Sequence, residues 1–445
     1  MGDKIFRDPL YNYISLDRSR DGWLINLLDT PEVQRLRRIH QLGVSNITYP
    51  GADHNRLAHS LGVVHLMGMA LNRLSNTAVQ AQVESARQTL LAAALLHDVG
   101  HGPFSHLFEP CLGIKHEAWS IKAVRDPGTR IHKVLSAESP YLPDQVADLI
   151  DSNNHKSPSW QKALLSSQLD MDRVDYLRRD SLFTGAGYGH FDWFRLLATI
   201  DVYPRNGSFE LVWPEKAAMA IEEYVFARYY MYQNVYLHKT TRGFEKLLEA
   251  MWRRAKRLRD EESDIPLDPT IARFWSSEDP SIAQYLQIEE FTVLSQIQTW
   301  TSYSDQALSD LARRFLNRDG FAAVHPPPPT DPLQPNYAEW ESELHKLLKK
   351  SGYSDPEMYA LPDTLDAKYR QPYKPEKDVG EQSSSNAIRL SVNGESDPIE
   401  ITNYLHRLKA VTDSPVEHER KYYLPKELRL EAASLAQSMI GGANS

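Results

Sequence analysis

Leu91-Ala-Ala-Ala-Leu-Leu-His97-Asp98-Val-Gly-His101-Gly-Pro-Phe-Ser-His106-Leu-Phe-Glu109 is the stretch whose reading decides the fold. Alanine and leucine lose little on entering a helix, so residues 87–99 are predicted helical, and Gly100, Gly102 and Pro103 end the run. His97 and Asp98 then stand at a helix terminus. Neighbouring helical side chains point about 100° apart, so both reach one ion only if it lies close to the backbone. Imidazole beside carboxylate suits a borderline divalent cation (Zn, Fe, Mn, Ni or Co), whereas Ca and Mg prefer oxygen alone. A His-Asp dipeptide is common without any metal, so its meaning depends on what the rest of the chain offers.

The 445 residues allow two or three domains and an ample core. No apolar run approaches the roughly 20 residues of a membrane span, and the start, Met-Gly-Asp-Lys-Ile-Phe-Arg-Asp, has no signal-peptide core. A cytoplasmic protein with no membrane partner is expected. The single cysteine, Cys111, excludes an internal disulfide and a multi-cysteine metal cage, so metal ligands must be His, Asp or Glu. A net charge of −9 argues against general nucleic-acid binding but not against a small anion in a local basic pocket.

Along the chain, Asp29-Thr-Pro31 starts a predicted helix that Gly43 closes, with Arg35, Arg37 and Arg38 crowding it as a solvated face or an anion pocket. Of the sixteen histidines, His54, His59, His65, His97, His101, His106 and His116 all fall between residues 54 and 116. One histidine on an apolar helix is usually a satisfied core residue. Seven in one segment suggest a site, with His65 facing elsewhere on its helix. Residues 160–184 are helical by pattern and bring Asp172, Asp175, Tyr176 and Asp180 to helical spacing, close enough that the carboxylates repel unless cations compensate. Asn206-Gly207 between apolar runs predicts a hairpin. Arg228, Tyr232, Tyr236 and Lys239 follow a 4, 4, 3 spacing, a stripe that suits core packing or a base with its phosphates. The prolines at 326–329 mark a stiff linker. Beyond them come a helix near 337–351, strand-like alternation at 388–392 and 416–424, and a helix capped by Asp397-Pro398. The expected organisation is a helical catalytic domain over 1–320, a Pro-rich linker over 321–336 and a small mixed α+β region over 337–445, in a mostly α fold.

His59, then His97-Asp98, then Asp172 give two imidazoles and two carboxylates for one divalent ion. This pattern resembles the HD-domain metal phosphohydrolases. More narrowly, Gln41-Leu-Gly, Tyr49-Pro-Gly-Ala-Asp-His-Asn-Arg56-Leu-Ala-His59, His97-Asp-Val-Gly-His, His116-Glu117 and Asp170-Met-Asp172-Arg-Val-Asp-Tyr176-Leu-Arg-Arg-Asp180 resemble the deoxynucleoside triphosphate triphosphohydrolases, especially the sterile-alpha-motif-and-HD enzyme and its bacterial relatives. The resemblance runs from about Lys4 to Lys246, and there is no sterile-alpha-motif segment.

The resemblance implies a helical HD-domain fold and hydrolysis of a dNTP to deoxynucleoside and inorganic triphosphate. It implies that His59, His97, Asp98 and Asp172 bind a divalent metal (Mn, Mg, Fe, Zn, Ni or Co). His106, oriented by Glu109, would be the proton shuttle, and His101 and His116 would contact phosphate. Arg56, Arg173, Tyr176, Arg228 and Lys239 would bind the triphosphate, with Tyr232 in the pocket wall. Gln41 and Asp180 would hold the sugar 3′-hydroxyl, and Leu42 and Tyr236 would flank sugar and base, Tyr236 excluding a 2′-hydroxyl. An activating nucleotide would meet Lys4, Ile5, Asp29, Gln34, Arg37 and Arg195 in a homo-oligomer, a dimer or tetramer. The chain departs from the family at Arg173, where lysine is common, at Tyr232, where activated relatives have histidine, and at Pro214 and Ala220, where polar or basic residues stand. The other readings are an HD-domain phosphohydrolase of another nucleotide (a ribonucleotide, an alarmone or a signalling oligonucleotide) and a nucleotide-sensing subunit.

Overall fold

The apolar run that ends at His97 forms the second half of a helix over Gln80–Leu96, with His97 as its C-cap. Leu90 through Leu96 are all buried, so this half of the helix is enclosed on every side. The computed structural model describes residues 2–107, 109, 115–154, 156–205, 207–329, 337–364, 371, 373–375, 387–413 and 420–442. The fold is mostly α, with a few small sheets.

Contacts group the chain into two units. The first comprises Met1–Val235, Ser277–Glu289 and Arg370–Pro415, and the second Tyr236–Ser276, Glu290–Tyr369 and Val416–Ser445. The Pro-rich stretch at which the sequence places a boundary lies within the second of these.

In the first unit the Gln80–Leu96 helix packs against helices Arg56–Leu74 and Leu142–Ile150, and Arg56–Leu74 packs against Met171–Thr184. Local chemistry sets the helix ends. The Asn55 side chain caps the first helix by accepting from the Ala58 N–H. Asp170 caps the last by accepting from the Arg173 N–H, and Gly185, at φ 69°, ends it in the left-handed conformation that glycine adopts freely. Strands Lys4–Asp8 and Asn12–Leu16 form an antiparallel hairpin. Asp201–Arg205 and Ser208–Pro214 form the second hairpin foreseen at Asn-Gly, where Asn206 itself lies outside the described residues. Ser208–Pro214 is extended in parallel by Arg389–Ser391, which pairs with Ile399–Glu400.

In the second unit, Arg420–Pro425 lies between Phe321–Val324 and Leu361–Thr364 in an antiparallel sheet. A helix over Lys239–Asp260 packs on Phe321–Val324 and on the helix Gln306–Leu316.

Several helices differ from their sequence expectation. The helix expected from Pro31 to Gly43 is a single α-turn, Pro31–Gln34, followed by a 3-10 turn, Arg35–Arg38. The cause is Arg35, which turns inward and donates to the carbonyl oxygens of His101 and Ile288, each at 2.7 Å. Residues 160–184 form two helices, Ser159–Leu165 and Met171–Thr184, because Asp170 also accepts from the Ser167 N–H and holds the connecting turn. The stripe Arg228–Lys239 is interrupted. The helix Ala218–Met231 runs into a π-helical turn at Tyr232–Tyr236, and a new helix starts at Lys239 under the His238 cap. Its 4, 4, 3 spacing is therefore not one helical face. The helix expected after Asp397-Pro398 starts later, at Ile401, capped by Glu400.

Gly62 fixes how closely Arg56–Leu74 approaches Met171–Thr184, since a Cβ there would lie 1.9 Å from Asp175 Oδ1 and 2.6 Å from Arg179 Nη2. Gly62→Ala is expected to destabilise the protein by about 1–3 kcal/mol, the range for overpacking a filled interior. Thermal unfolding of the two proteins checks this.

Candidate metal centre and active site

Four side chains from three helix ends converge. His97 caps Gln80–Leu96 and Asp98 follows it, while His59 and Asp172 lie in the first turns of their own helices. His59 Nε2 stands 3.0 Å from Asp172 Oδ1 and 3.7 Å from Asp98 Oδ2. His97 Nε2 stands 3.4 Å from Asp98 Oδ1 and 3.7 Å from Asp172 Oδ1. The two rings meet edge to face with centroids 5.3 Å apart. Both Nε2 atoms are buried, and neither makes a hydrogen bond in good geometry among the described residues. Buried polar atoms are normally paired. Nitrogen and oxygen atoms that face a common centre more than one another fit a divalent cation, and His59, His97 and Asp98 offer ligand atoms all within 4.8 Å of one another.

The surrounding shell orients these ligands. His59 Nδ1 lies 2.8 Å from Asp175 Oδ2 and His97 Nδ1 3.0 Å from the Ala94 carbonyl, which turns both Nε2 atoms inward. Arg56 donates to Asp98 through Nη1 and to the Ser105 hydroxyl through Nε at 2.9 Å, so its guanidinium is held against Asp98. Burial opposes a charge on His59, but the carboxylates of Asp172 and Asp175 overcome it and lift the imidazole to about 10. Burial likewise opposes charge on His97, and Asp98 and Asp172 raise it nonetheless. Burial would raise Asp98, yet Arg56, His97 and His101 hold it well below the usual carboxylate range. Asp172 is held low in the same way by His59 and His97. Without a cation, the centre takes up protons in its place.

The other expected site residues fall into distinct places. His101 is buried against Asp98, with Nε2 3.3 Å from Asp98 Oδ1, and stacks on His116 at 3.8 Å between centroids. Burial, helped by Arg56 and His116, pushes His101 well below its ordinary value, so it is neutral near pH 7. Glu109 accepts from His116 Nδ1 at 2.5 Å. The His106 side chain lies outside the described residues. Arg173 donates through Nε to the Ser167 carbonyl at 2.7 Å and to Asp170 Oδ2 at 3.2 Å, with Nη1 3.5 Å from the Tyr176 hydroxyl. Burial pushes the Asp170 carboxyl up to about 7, with Arg173 opposing and Asp172 adding to the rise. Arg228 lies over the Tyr232 ring at 4.8 Å and donates to the Gln371 carbonyl at 3.1 Å. Gln41 Oε1 is buried with no hydrogen-bond partner among the described residues. Asp180 bonds His54 Nε2 at 2.7 Å, and His54 stacks on Phe183. Leu42 is half-buried beside Gln41. Tyr236 and Lys239 belong to the second unit.

The residues named for an activating nucleotide have local partners of their own. Lys4 Nζ lies 5.6 Å from the Phe6 ring centre, and Ile5 is exposed. Asp29 caps the helix Arg18–Leu28. Gln34 donates to the Leu28 carbonyl and accepts from Arg37, while Arg195 pairs with Asp192 and donates to the Lys216 carbonyl. An open groove of about 410 Å³ is lined by Asp192, Phe194, Arg195, Ala198, Thr199 and Lys216.

Sequence reading missed Asp175 as the partner of His59, and with it Arg179, Tyr11 and Asp8, which hold Asp175. The signal available for Asp175 was its place one helical turn beyond a ligand, on a helix that presents both to His59. For Tyr11 and Asp8 no local signal existed, because a fold contact spanning more than 160 positions joins them to Asp175 and Arg179. His54 was counted among the clustered histidines without a role.

In the metal-free protein, the raised His59 contributes stability in full below the ordinary imidazole value of 6.5 and loses it as pH rises through about 10. A bound cation displaces that proton. Metal affinity is therefore expected to rise with pH over the same window, with proton release near neutral pH. Titration calorimetry in two buffers of different ionisation enthalpy reads the protons released. His97→Ala and Asp172→Ala are each expected to abolish stoichiometric metal uptake, measured by elemental analysis.

The HD domain sequence pattern matches residues 56–180, a span that contains all four converging ligands. The chain is 36% identical to the uncharacterized protein YwfO of Bacillus subtilis over 96% of this chain and 93% of that one. It is 28% identical to the deoxynucleoside triphosphate triphosphohydrolase SAMHD1 of Danio rerio over 55% of this chain, and spans 44% of that relative's length. A crystal structure of a phosphohydrolase from Bacteroides thetaiotaomicron superposes with a TM-score of 0.77 at 25% identity, covering 95% of this chain and 100% of that one. A hypothetical protein from Aquifex aeolicus shares the fold at a TM-score of 0.69 and 24% identity, over 97% of this chain and 99% of that one. A shared fold, the HD match and the converging His and Asp ligands agree: the chain belongs to the HD-domain phosphohydrolase family.

Proposed function

We propose that this phosphohydrolase cleaves deoxynucleoside triphosphates to deoxynucleoside and inorganic triphosphate. The observation that carries the reading is the His and Asp cluster that could hold a metal ion, beside the half-buried Arg173, Tyr176, Arg228 and Tyr232, in a chain similar to a deoxynucleoside triphosphate triphosphohydrolase. His59, His97, Asp98 and Asp172 would hold the metal; when bound, a divalent cation polarises a phosphoryl oxygen and supplies an acidified water.

The chain's own residues do the rest. A triphosphate brings about four negative charges to a site that must neutralise them. Arg173 and Arg228 are placed to do so, each now donating to a backbone carbonyl that a phosphate oxygen can replace. Tyr176 and Tyr232 flank these arginines. Water attacks the α-phosphorus, the bond from that phosphorus to the 5′-oxygen breaks, and the departing oxygen needs a proton. His106 is assigned that donation, by resemblance. His101, neutral, is suited to accept from a phosphate-side donor, and His116, tied to Glu109, to contact phosphate. Arg56 keeps Asp98 ionised as a ligand. Gln41 Oε1, buried and unpartnered, suits a sugar hydroxyl, and the Asp180–His54 pair suits the same group. Lys4, Ile5, Asp29, Gln34, Arg37 and Arg195 would take an activating nucleotide in a homo-oligomer, and addition of a second nucleotide to the assay reads this directly. No helix among the described residues is long and apolar enough to cross a membrane.

The test is product chromatography after incubation with Mn²⁺ and each of the common deoxy- and ribonucleoside triphosphates. Deoxynucleoside and triphosphate in equal amounts are expected, with Asp98→Ala inactive. Gln41→Ala is expected to raise KM for a dNTP by about tenfold, the loss of one buried hydrogen bond, and to leave KM for the 3′-deoxy analogue unchanged. Release of monophosphate and pyrophosphate, or equal turnover of ATP, overturns the reading.

A further inference from the structure

The tip of the N-terminal hairpin, Asp8-Pro-Leu-Tyr11-Asn12, takes no part in the chemistry above, yet it ends in the support of a metal ligand. Asp8 Oδ1 accepts from the backbone N–H groups of Leu10 at 2.9 Å and Tyr11 at 3.0 Å, and Asn12 at φ 66° turns the chain back. This turn delivers the Tyr11 hydroxyl to Asp175 Oδ1, to which it donates at 2.8 Å. Asp175 Oδ2 in turn accepts from His59 Nδ1 at 2.8 Å. Arg179 grips the same carboxylate from the other side, with Nε to Oδ2 at 2.8 Å and Nη2 to Oδ1 at 3.0 Å. Its remaining arm, Nη1, donates to Asp8 Oδ2 at 2.8 Å. Asp175 and Arg179 are wholly buried.

We propose that Asp8, Tyr11, Arg179 and Asp175 form a positioning relay that keeps the His59 proton on Nδ1 and its Nε2 open to the metal, making the hairpin a working part of the metal centre. The proposal rests on the metal reading of the site. Each oxygen of Asp175 has two partners, so the carboxylate accepts about as many bonds as its lone pairs allow and cannot rotate away from His59. The bidentate arginine fixes its plane. Asp8 balances Arg179, so that Asp175 is shared between a neutralised guanidinium and His59 and is not drawn wholly to the arginine. Were His59 to carry its proton on Nε2, it would present a donor to the ion and lose Asp175 as an acceptor partner. Tyr11, Asp8, Asp175 and Arg179 touch neither ion nor substrate and act through His59.

The relay is tested with Co²⁺ alone, added to the full-length metal-free protein and followed by equilibrium binding and by the visible spectrum of the bound ion. Asp175→Asn is expected to weaken Co²⁺ binding by about 10- to 100-fold, the usual effect of removing a partner of a ligating histidine, with a changed spectrum. Tyr11→Phe removes one hydrogen bond to the relay carboxylate and is expected to weaken binding by about three- to tenfold. Ile14→Val, which loosens the buried side of the same hairpin without touching the relay, is expected to leave affinity and spectrum as in the parent. Wild-type affinity and spectrum in folded Asp175→Asn and Tyr11→Phe overturn the relay, and Tyr11→Phe alone decides if Asp175→Asn does not fold. An equal loss in Ile14→Val also overturns it, because the hairpin's stability would then be the cause. If the parent protein takes up no Co²⁺, the metal reading itself has failed and the relay falls with it.

Discussion

Asp98, Asp172 and Asp175 lie close together around two imidazoles, Asp172 half-buried and the other two in an interior where an uncompensated carboxylate is prohibitively costly. That constraint organises the surrounding fold. Each carboxylate is met by positive charge: Asp98 by Arg56, Asp175 by Arg179, and Asp172 by the two imidazoles. Arg179 in turn requires Asp8, which ties the N-terminal hairpin to the helix Met171–Thr184. Gly62 must lack a side chain so that the helix bearing His59 can come close enough to Asp175 for the pairing to form. What remains uncompensated is the space between the two Nε2 atoms and the outer carboxylate oxygens. The neighbouring carboxylates raise both His59 and His97 despite their burial.

The convergence of His59, His97, Asp98 and Asp172 is legible because it needs only local signals. The Ala-Leu run fixed the place of His97 and Asp98 at a helix end, and the histidine cluster drew attention to His59. Asp172 is singled out from the neighbouring acids of its helix by the family resemblance. Helical content was equally legible, since apolar periodicity survives without knowledge of tertiary partners. What could not be read were the places where a tertiary hydrogen bond outbids a local one. Arg35 looks like a solvated helix residue and is 1% exposed, because two distant carbonyls lie within its reach. Asp170 looks like a fourth helical acid and is instead the residue that ends one helix and begins the next.

The interrupted stripe has a comparable origin. Counting residues at 4, 4 and 3 assumes one unbroken α-helix, whereas the π-turn at Tyr232–Tyr236 changes the rotation per residue. Side chains beyond such a turn face a direction that periodicity cannot give. π-turns recur at functional sites because they re-aim a side chain at small cost to the ladder of hydrogen bonds. Here the turn begins with Tyr232, on whose ring Arg228 rests.

In a chain of net charge −9, Arg173 and Arg228 are half-buried, and each already has oxygen partners. Arg173 donates to the Ser167 carbonyl and to Asp170, and Arg228 to the Gln371 carbonyl. These bonds keep the guanidinium groups oriented, and with them the desolvation cost is met before any ligand arrives. A phosphate oxygen that displaces a carbonyl exchanges a neutral acceptor for a charged one, and a hydrogen bond charged at both ends is about twice as strong as a neutral one. Asp170 adds a second element. Burial holds its carboxyl near 7, so it lies between neutral and charged forms beside Arg173. A polyanion bound to Arg173 would favour the protonated form and relieve the repulsion that an ionised Asp170 would otherwise exert.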